Sequence, residues 1–170
     1  MRKYLRFSPR WVAVSAIIVF SMIPSEATSL KVMNLEDLVG HSQRIFSAVC
    51  QSVSSGFDEN NLPYTRYSLR ITDGIHGVAN QQVVVIKQFV LAEPIQLDNG
   101  VTQVSRIEGM PRYLPGQEYL LFLNQDSRLG FSSPIGLLQG AFRVQGRGTS
   151  RTVINGMGNT NLLIDTRKSI

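Results

Sequence analysis

Beyond residue 44, long stretches of the chain alternate apolar and polar side chains with a period of two. In residues 65–71, three apolar side chains share one face and polar side chains share the other, which is the pattern of a half-buried β-strand. A valine-rich run, residues 82–90, predicts a strand whose middle is buried on both faces. Residues 45–53 and 118–123 predict two more apolar strands.

Turn signals separate these strands and set their order. Asp98-Asn99-Gly100 is a hairpin signal, and Gly146-Arg147-Gly148 predicts a second hairpin between residues 139–145 and 151–154. Asp73-Gly74 predicts the end of an earlier strand. The count is seven or eight strands without regularly interleaved helices, which predicts a mainly β fold: a small antiparallel barrel (OB-like) or a sandwich.

One short helix is predicted at the start of this domain. Asn34 can accept a hydrogen bond from a backbone N–H of the first turn. Glu36 and Asp37 place negative charge in that turn, where it favours the helix dipole. The apolar stripe consists of Leu35, Leu38 and Val39. Because Gly40 weakens the pattern, we expect a helix of about two turns.

The N-terminal residues have the order of a secretory signal peptide. Four cations in residues 1–10 precede an apolar run over residues 11–23, and Ser25-Glu26-Ala27 has small residues at positions −3 and −1 of a cleavage site. A helix over that run rises about 20 Å, short of the roughly 30 Å hydrocarbon core, which argues against an uncleaved anchor. We predict cleavage after Ala27, export to the periplasm or the medium, no later membrane span, and one domain over residues 28–170.

Charge narrows the class of partner. The chain has 17 Lys and Arg against 12 Asp and Glu, a net charge of +5, which falls to +2 when the four cations and one acid of residues 1–27 are removed. Arg143, Arg147 and Arg151 flank a glycine-rich turn and lack the clustering of a nucleic-acid-binding face. We therefore expect no nucleic-acid partner, and instead an unknown protein or cell-envelope partner.

Few residues are candidates for chemistry. Cys50 is the one cysteine, so the fold forms without an intramolecular disulfide. It lies in an apolar strand, and we predict a buried, unreactive thiol. His41 and His76 lack the local spacing of zinc motifs, and the pair Asp58-Glu59 lacks the spacing of a calcium loop. The sequence therefore indicates no metal and no cofactor.

Two segments resemble signatures of uncharacterised exported bacterial β-rich proteins. One is a Pro- and Gly-containing loop, residues 109–116, followed by Glu118-Tyr119-Leu120-Leu121-Phe122-Leu123. The other is residues 134–144, and the start over residues 35–53 is similar to their helix-then-strand opening. The element order is also similar to netrin/TIMP-like OB barrels. However, Thr28 stands where TIMP-type domains have an N-terminal cysteine, so a metalloprotease-inhibitor mechanism is not implied.

The favoured function is that of an exported, non-enzymatic binding or accessory protein. One interaction loop is predicted over residues 109–118, with Tyr113 and Glu118, and the other over residues 134–140, with Gln139. Tyrosine is a common interface anchor, and prolines lower the entropy lost when a loop binds. In the alternative interpretation of these loops, Tyr113 packs back onto the barrel and the prolines only shape a crossover.

Two other functions stay open at this point. The first is an extracytoplasmic enzyme whose site is assembled from separated residues, such as Cys50 with His76 or Glu118 with Asp126. The second is a structural subunit that assembles through the edges of its sheet.

Overall fold

The structure is a computed structural model, and it describes residues 31–146 and 148–164. The predicted signal peptide, residues 1–27, lies outside the described residues. Within them, one α-helix and eight strands follow one another along the chain: α1 (Leu35–His41), β1 (Arg44–Phe57), β2 (Pro63–His76), β3 (Val83–Gln88), β4 (Ile95–Gln96), β5 (Thr102–Gln103), β6 (Glu118–Leu123), β7 (Ala141–Gln145) and β8 (Thr152–Asn155). The predicted class, mainly β with one short helix, is confirmed.

Six strands form one antiparallel sheet in the order β3-β2-β1-β6-β7-β8, while β4 and β5 form a separate hairpin. Strands β1 and β2 are 14 residues long, and their pairing contains three register shifts, which increase twist and bend strands. Between the described strands β3 and β8 no pairing closes the sheet into a barrel. The order is compatible with an OB-like or sandwich arrangement.

Strand β1 holds the two halves of the sheet together. It pairs with β2 over residues 45–57, but it pairs with β6 only over residues 44–49. Beyond Val49, the β1–β2 ribbon therefore extends past the end of β6. The loop that precedes β6 crosses this step, because Gly116 donates its N–H to the Cys50 carbonyl (2.8 Å) and the Cys50 N–H donates to the Gln117 carbonyl (3.0 Å).

The predicted helix start is confirmed. The Asn34 side chain accepts a hydrogen bond from the Asp37 N–H at 2.8 Å, and the Asp37 carboxylate accepts one from the Asn34 N–H at 3.5 Å. This reciprocal pair is a capping box. Leu38 is the buried member of the apolar stripe. In the described part of the chain, no helix is long and apolar enough to cross a membrane.

The prediction of a turn at Asp73-Gly74 was wrong. Strand β2 continues through both residues to His76, and they pair with Ser47 and Phe46 of β1. The glycine is needed for a different reason: a Cβ atom on Gly74 would lie 2.7 Å from the Val78 carbonyl oxygen. The returning chain therefore approaches the strand so closely that no larger residue fits.

The prediction that the valine-rich strand is buried on both faces was also wrong. Along β3, buried and exposed residues alternate, and Val83 and Val85 are each 50% exposed. The cause is position, since β3 is the outermost strand of its sheet and only one of its faces meets the core. Near its end, the Ser132 N–H donates to the Lys87 carbonyl at 2.8 Å, so the loop after β6 covers part of this edge.

Side chains that alternate along β1, β6 and β7 form two separate cores. The first core consists of Phe46, Ala48, Cys50, Tyr67, Leu69, Ile71, Val84, Ile86, Tyr113, Tyr119, Leu121, Leu123 and Ala141. The second core consists of Leu38, Ile45, Phe122, Ile135 and Phe142. Cys50 is fully buried, as predicted. Burial is also the main reason that the pKa of its thiol is raised; its lack of reactivity stays a prediction.

A tyrosine cleft as the candidate functional site

Tyr113 is not the exposed anchor that the sequence suggested. It is only 2% exposed and belongs to the first core. Its ring meets Tyr67 and Tyr119 edge to face, with centroid distances of 4.8 and 5.0 Å. Edge-to-face contacts stabilise aromatic clusters beyond the effect of burial alone. The alternative, in which Tyr113 packs back onto the sheet, is therefore confirmed.

Gln139 is also buried, at 5% exposure. Its side-chain oxygen accepts a hydrogen bond from the Met33 N–H (2.8 Å), and its side-chain nitrogen donates to the Lys31 carbonyl (2.9 Å). Its backbone carbonyl accepts a bond from the side chain of Asn155 (3.1 Å). Gln139 thus fastens the segment before α1 to the sheet, which is a structural role.

Glu118, at the start of β6, makes two polar contacts of its own. Its carboxylate lies 2.6 Å from the Arg151 guanidinium and accepts a hydrogen bond from the Thr72 hydroxyl at 2.9 Å. Tyr113, Glu118 and Gln139 therefore each have a different set of partners. The structure does not join them into one exposed surface.

The proposed enzyme pairs are also far apart. Cys50 lies opposite Leu69 in the β1–β2 pairing, whereas His76 lies opposite Ile45, five residues along β1. At about 3.3 Å per residue, this is a separation of roughly 16 Å. Asp126 forms an ion pair with Arg44, which pairs with the last residue of β6, at the end opposite Glu118.

The acidic loop after β1 is held by its own contacts. The Asp58 carboxylate accepts hydrogen bonds from the Lys87 ammonium (2.8 Å), the Leu62 N–H (2.9 Å) and the Asn60 N–H (3.0 Å). The bond with Lys87 is the main reason that the pKa of Asp58 is lowered. In the described residues, no group of three or more His, Cys, Asp or Glu side chains is placed to hold a metal ion.

A cleft of about 440 Å³ opens at the step where the β1–β2 ribbon extends past β6. We call it the tyrosine cleft. It is lined by Val53, Ser54, Ser55, Tyr67, Ala92, Glu93, Arg112, Tyr113, Leu114 and Pro115. Four of these residues belong to the loop of residues 109–118, which the sequence analysis predicted as an interaction loop.

Hydroxyl groups fix one wall of the cleft. Thr65 donates to the Val90 carbonyl at 2.8 Å, and its hydroxyl lies 2.9 Å from that of Ser55. The Ala92 N–H in turn donates to the Ser55 hydroxyl at 3.2 Å. This chain of bonds joins the segment after β3 to β1 and β2, and it places Ala92 and the adjacent Glu93 at the rim.

The opposite wall is the loop before β6. It is attached to β1 through Cys50, and the Leu114 N–H donates to the Tyr119 hydroxyl at 3.0 Å. Gly116 adopts a positive φ of 80°, a conformation in which glycine is favoured. The loop is therefore fixed at its base, while Leu114 at its tip is 63% exposed.

Two phenol hydroxyls of the cleft residues are buried in the first core. Among the described residues, the Tyr67 and Tyr113 hydroxyls and the side-chain amide of Gln88 make no hydrogen bond of normal geometry. Burial raises the pKa of Tyr67 to about 12 and that of Tyr113 well above the usual range, although the nearby Tyr113 backbone and the nearby Gln88 side chain, respectively, oppose the rise. Both phenols therefore stay protonated at neutral pH, and their oxygens are buried rather than open to the cleft.

Arg112 supplies the positive charge of the cleft. Its charge opposes the rise in the Tyr67 pKa, which indicates that the guanidinium acts on that hydroxyl. Its ion-pair partner is Glu93 at 3.9 Å, and the two side chains are 48% and 84% exposed. An exposed pair at this distance contributes little to stability, so Arg112 can readily exchange this partner for another.

Comparisons of the chain with protein family models, curated proteins and solved structures found no match. The candidate site therefore depends on geometry alone. Sequence reasoning missed Arg112 and Tyr67, because one lay in a segment predicted as a loop and the other in the inward face of a strand. A cation beside an aromatic residue between two prolines was the one local signal that could have pointed to the cleft.

Proposed function

We propose that this protein is an exported, non-enzymatic binding module that holds its ligand in the tyrosine cleft. One observation carries the proposal: an open cleft of about 440 Å³ has largely apolar walls, and among the described residues the ion-pair partner of its arginine, Arg112, is the exposed Glu93 at 3.9 Å. An exposed ion pair at this distance contributes little to stability, so Arg112 is able to contact a ligand instead.

The residues of the cleft favour binding over catalysis. Neither histidine and no cysteine lines it, and the Ser55 hydroxyl is already bonded to Thr65 and Ala92. General-base or nucleophilic catalysis needs a titrating group or an activated nucleophile close to the substrate. Apolar walls with a few convergent polar groups are typical of ligand-binding sites.

The most direct test of binding compares the protein with a variant in which a large side chain fills the cleft. We expect amide NMR signals of Ala92, Tyr113 and Leu114 to shift when a library of small fragments is added to the labelled protein. Ala92→Trp should abolish these shifts, whereas Ala79→Trp, at an exposed position outside the cleft, should preserve them. Thermal melts check that both variants fold. Binding that survives Ala92→Trp, or a library that never shifts cleft amides, contradicts the proposal.

Export is a separate part of the proposal, supported by the charge and apolar order of residues 1–27. We expect N-terminal sequencing of protein from the periplasm or the medium to begin at Thr28. A chain that begins at Met1 and stays in the membrane fraction would contradict it.

Assembly through a sheet edge is a second candidate function. It is favoured by β3, an outer strand with two half-exposed valines, Val83 and Val85. Exposed β-branched edges are templates for strand pairing. Sedimentation over a range of concentrations decides between the candidates, since a mass independent of concentration excludes assembly.

A further inference from the structure

The sequence contains two Asn-Gly dipeptides, Asn99-Gly100 and Asn155-Gly156. At such a dipeptide the glycine nitrogen can attack the asparagine side chain, because glycine has no Cβ atom to shield that nitrogen. The structure places the two asparagines in opposite surroundings. Asn99 is exposed in the loop between β4 and β5, whereas Asn155, the last residue of β8, is 7% exposed.

The loop that holds Asn99 is small and open to solvent. The Gly100 N–H donates to the Leu97 carbonyl at 2.9 Å, but a Cβ atom on Gly100 would meet nothing within 4 Å beyond its neighbours in the chain. The β4–β5 hairpin consists of two residue pairs and joins no other strand among the described residues. Short exposed segments with few buried contacts open locally at low free energy, so the Gly100 nitrogen is readily released for reaction.

The Asn99 side chain is bonded through its oxygen and not through its nitrogen. The oxygen accepts a hydrogen bond from the Val101 N–H at 3.0 Å, and a donor at this oxygen stabilises negative charge that develops on it during an attack on the carbonyl. Among the described residues the amide nitrogen, which is the leaving group, makes no hydrogen bond. The carbonyl is therefore activated, while nothing retains the leaving group.

Asn155 is held by its surroundings at both ends of its amide group. Its side-chain nitrogen donates to the Gln139 carbonyl at 3.1 Å, and its oxygen accepts a bond from the Met157 N–H at 3.0 Å. The Gly156 N–H donates to the Leu138 carbonyl at 3.1 Å, and a Cβ atom on Gly156 would lie 2.6 Å from the Leu138 side chain. Reaction at Asn155 therefore requires opening of the end of β8, a strand of the six-stranded sheet, which costs more free energy than opening a short hairpin.

We propose that Asn99 is a modification site, at which spontaneous deamidation converts the side-chain amide to a carboxylate, while Asn155 is protected by the fold. The Gly100 nitrogen bonds to the Asn99 Cγ atom, and the bond from Cγ to the amide nitrogen breaks. The amide nitrogen leaves as ammonia with the proton of the Gly100 nitrogen, and no electrons are transferred. Water then opens the cyclic imide at either carbonyl, which gives aspartate or isoaspartate.

Both products change the β4–β5 hairpin. Each adds a negative charge next to Asp98, and isoaspartate also lengthens the main chain of the loop by one methylene group. Because the loop is closed by bonds from Leu97 to Gly100 and Val101, a longer loop disturbs the pairing of the two short strands. This modification is independent of ligand binding in the tyrosine cleft.

The test incubates the purified, folded protein at mildly alkaline pH and follows both sites by mass spectrometry. Trypsin places Asn99 and Asn155 in separate peptides, residues 88–106 and 152–167, and fragment spectra locate the modified residue. Protein digested without incubation corrects for changes during digestion. We expect Asn99 to deamidate about tenfold faster than Asn155 or more, because the hairpin opens more easily than the sheet. Equal rates, or a faster reaction at Asn155, overturn the proposal.

Unfolded protein is the matched control for the role of the fold. In guanidinium chloride the two sites should react at similar rates, because both are Asn-Gly. If Asn99 keeps its tenfold lead there, flanking residues rather than the fold cause the difference, and protection by the structure is excluded. Labelling with a protein isoaspartate methyltransferase should detect isoaspartate in residues 88–106 and none in Asn99→Gln. Aspartate without isoaspartate would exclude the imide route.

Discussion

The two cores of this molecule differ in how completely their buried polar groups are paired. Beside the second core, Asn34, Gln139 and Asn155 are at most 7% exposed, and each has hydrogen-bond partners. In and beside the first core, Tyr67, Tyr113 and Gln88 are at most 2% exposed, and their side-chain polar atoms have none among the described residues. The first core is thus paired only in part, since the Tyr119 hydroxyl does accept a hydrogen bond from the Leu114 N–H.

The difference follows from what covers each face. The second core is covered by backbone that supplies free donors and acceptors, such as the Met33 N–H, the Lys31 carbonyl and the Ile164 carbonyl. The first core is crossed by a loop with Pro111 and Pro115, which have no N–H to donate. Of the three phenols beneath that loop, Tyr119 accepts a backbone hydrogen bond of normal geometry, from the Leu114 N–H.

The largest loss of stability is expected from a substitution beside the second core. Gln139→Met keeps the side-chain size but removes both bonds to residues 31–33, which leaves a backbone N–H and a carbonyl unpaired. We expect the free energy of unfolding to fall by about 2–3 kcal/mol in urea titrations. Gln125→Met, at an exposed position, is the control and should change stability by less than about 0.5 kcal/mol. If both variants unfold at the same urea concentration, the second face is not held by its polar groups.

A smaller effect is expected from alkaline pH, and it arises in the first core. The pKa of Tyr67 is about 12 in the folded protein and about 10 in an unfolded chain. The unfolded chain therefore loses its proton first, so stability is fully present below pH 10 and falls as the pH rises towards 12. We expect a loss of about 1–3 kcal/mol over that interval.

Urea titrations at neutral pH and near pH 11 measure this loss. Tyr67→Phe should show a shallower fall than the parent protein, because the titrating group is gone. An identical slope in both proteins would show that other groups cause the alkaline loss.

The smallest change in stability is expected when single tyrosines of the first core are replaced at neutral pH. Tyr113→Phe removes an unpartnered hydroxyl and should leave stability within about 0.5 kcal/mol or raise it slightly. Tyr119→Phe is the matched comparison, since it removes the bond to the Leu114 N–H and should lower stability by about 1 kcal/mol. Thermal melts of the two variants measure the difference. Equal losses would mean that the Tyr113 hydroxyl is bonded in solution.

The sequence predicted the structure correctly where a feature depends on residues that are close together in the chain. The cap of α1 joins Asn34 to Asp37, three residues apart, and the strand pairs predicted on either side of residues 98–100 and of the second glycine-rich turn, β4–β5 and β7–β8, are also present. In each case the partners lie close together in sequence, so residue type alone limits the conformations.

Prediction failed where a residue's surroundings come from distant segments. The exposure of Val83 and Val85 depends on the place of β3 in the sheet, which the valine run does not specify. Tyr113 turns inward because Tyr67, 46 positions earlier, provides an aromatic partner, and the Gln139 side chain bonds a residue 106 positions away. The candidate site was missed for the same reason, since its walls come from four separate segments.

Because β1 is longer than β6, one part of the chain fixes the sheet and another part sets the width of the cleft. The paired strands fix the sheet, but the step that forms the cleft is bridged only by the loop before β6, attached at Cys50 and Tyr119. Adding or removing residues at the tip of that loop, around Leu114, would widen or narrow the cleft and leave every strand pair in register. The size of the ligand and the stability of the sheet are thus encoded in different stretches of sequence, so one can change without the other.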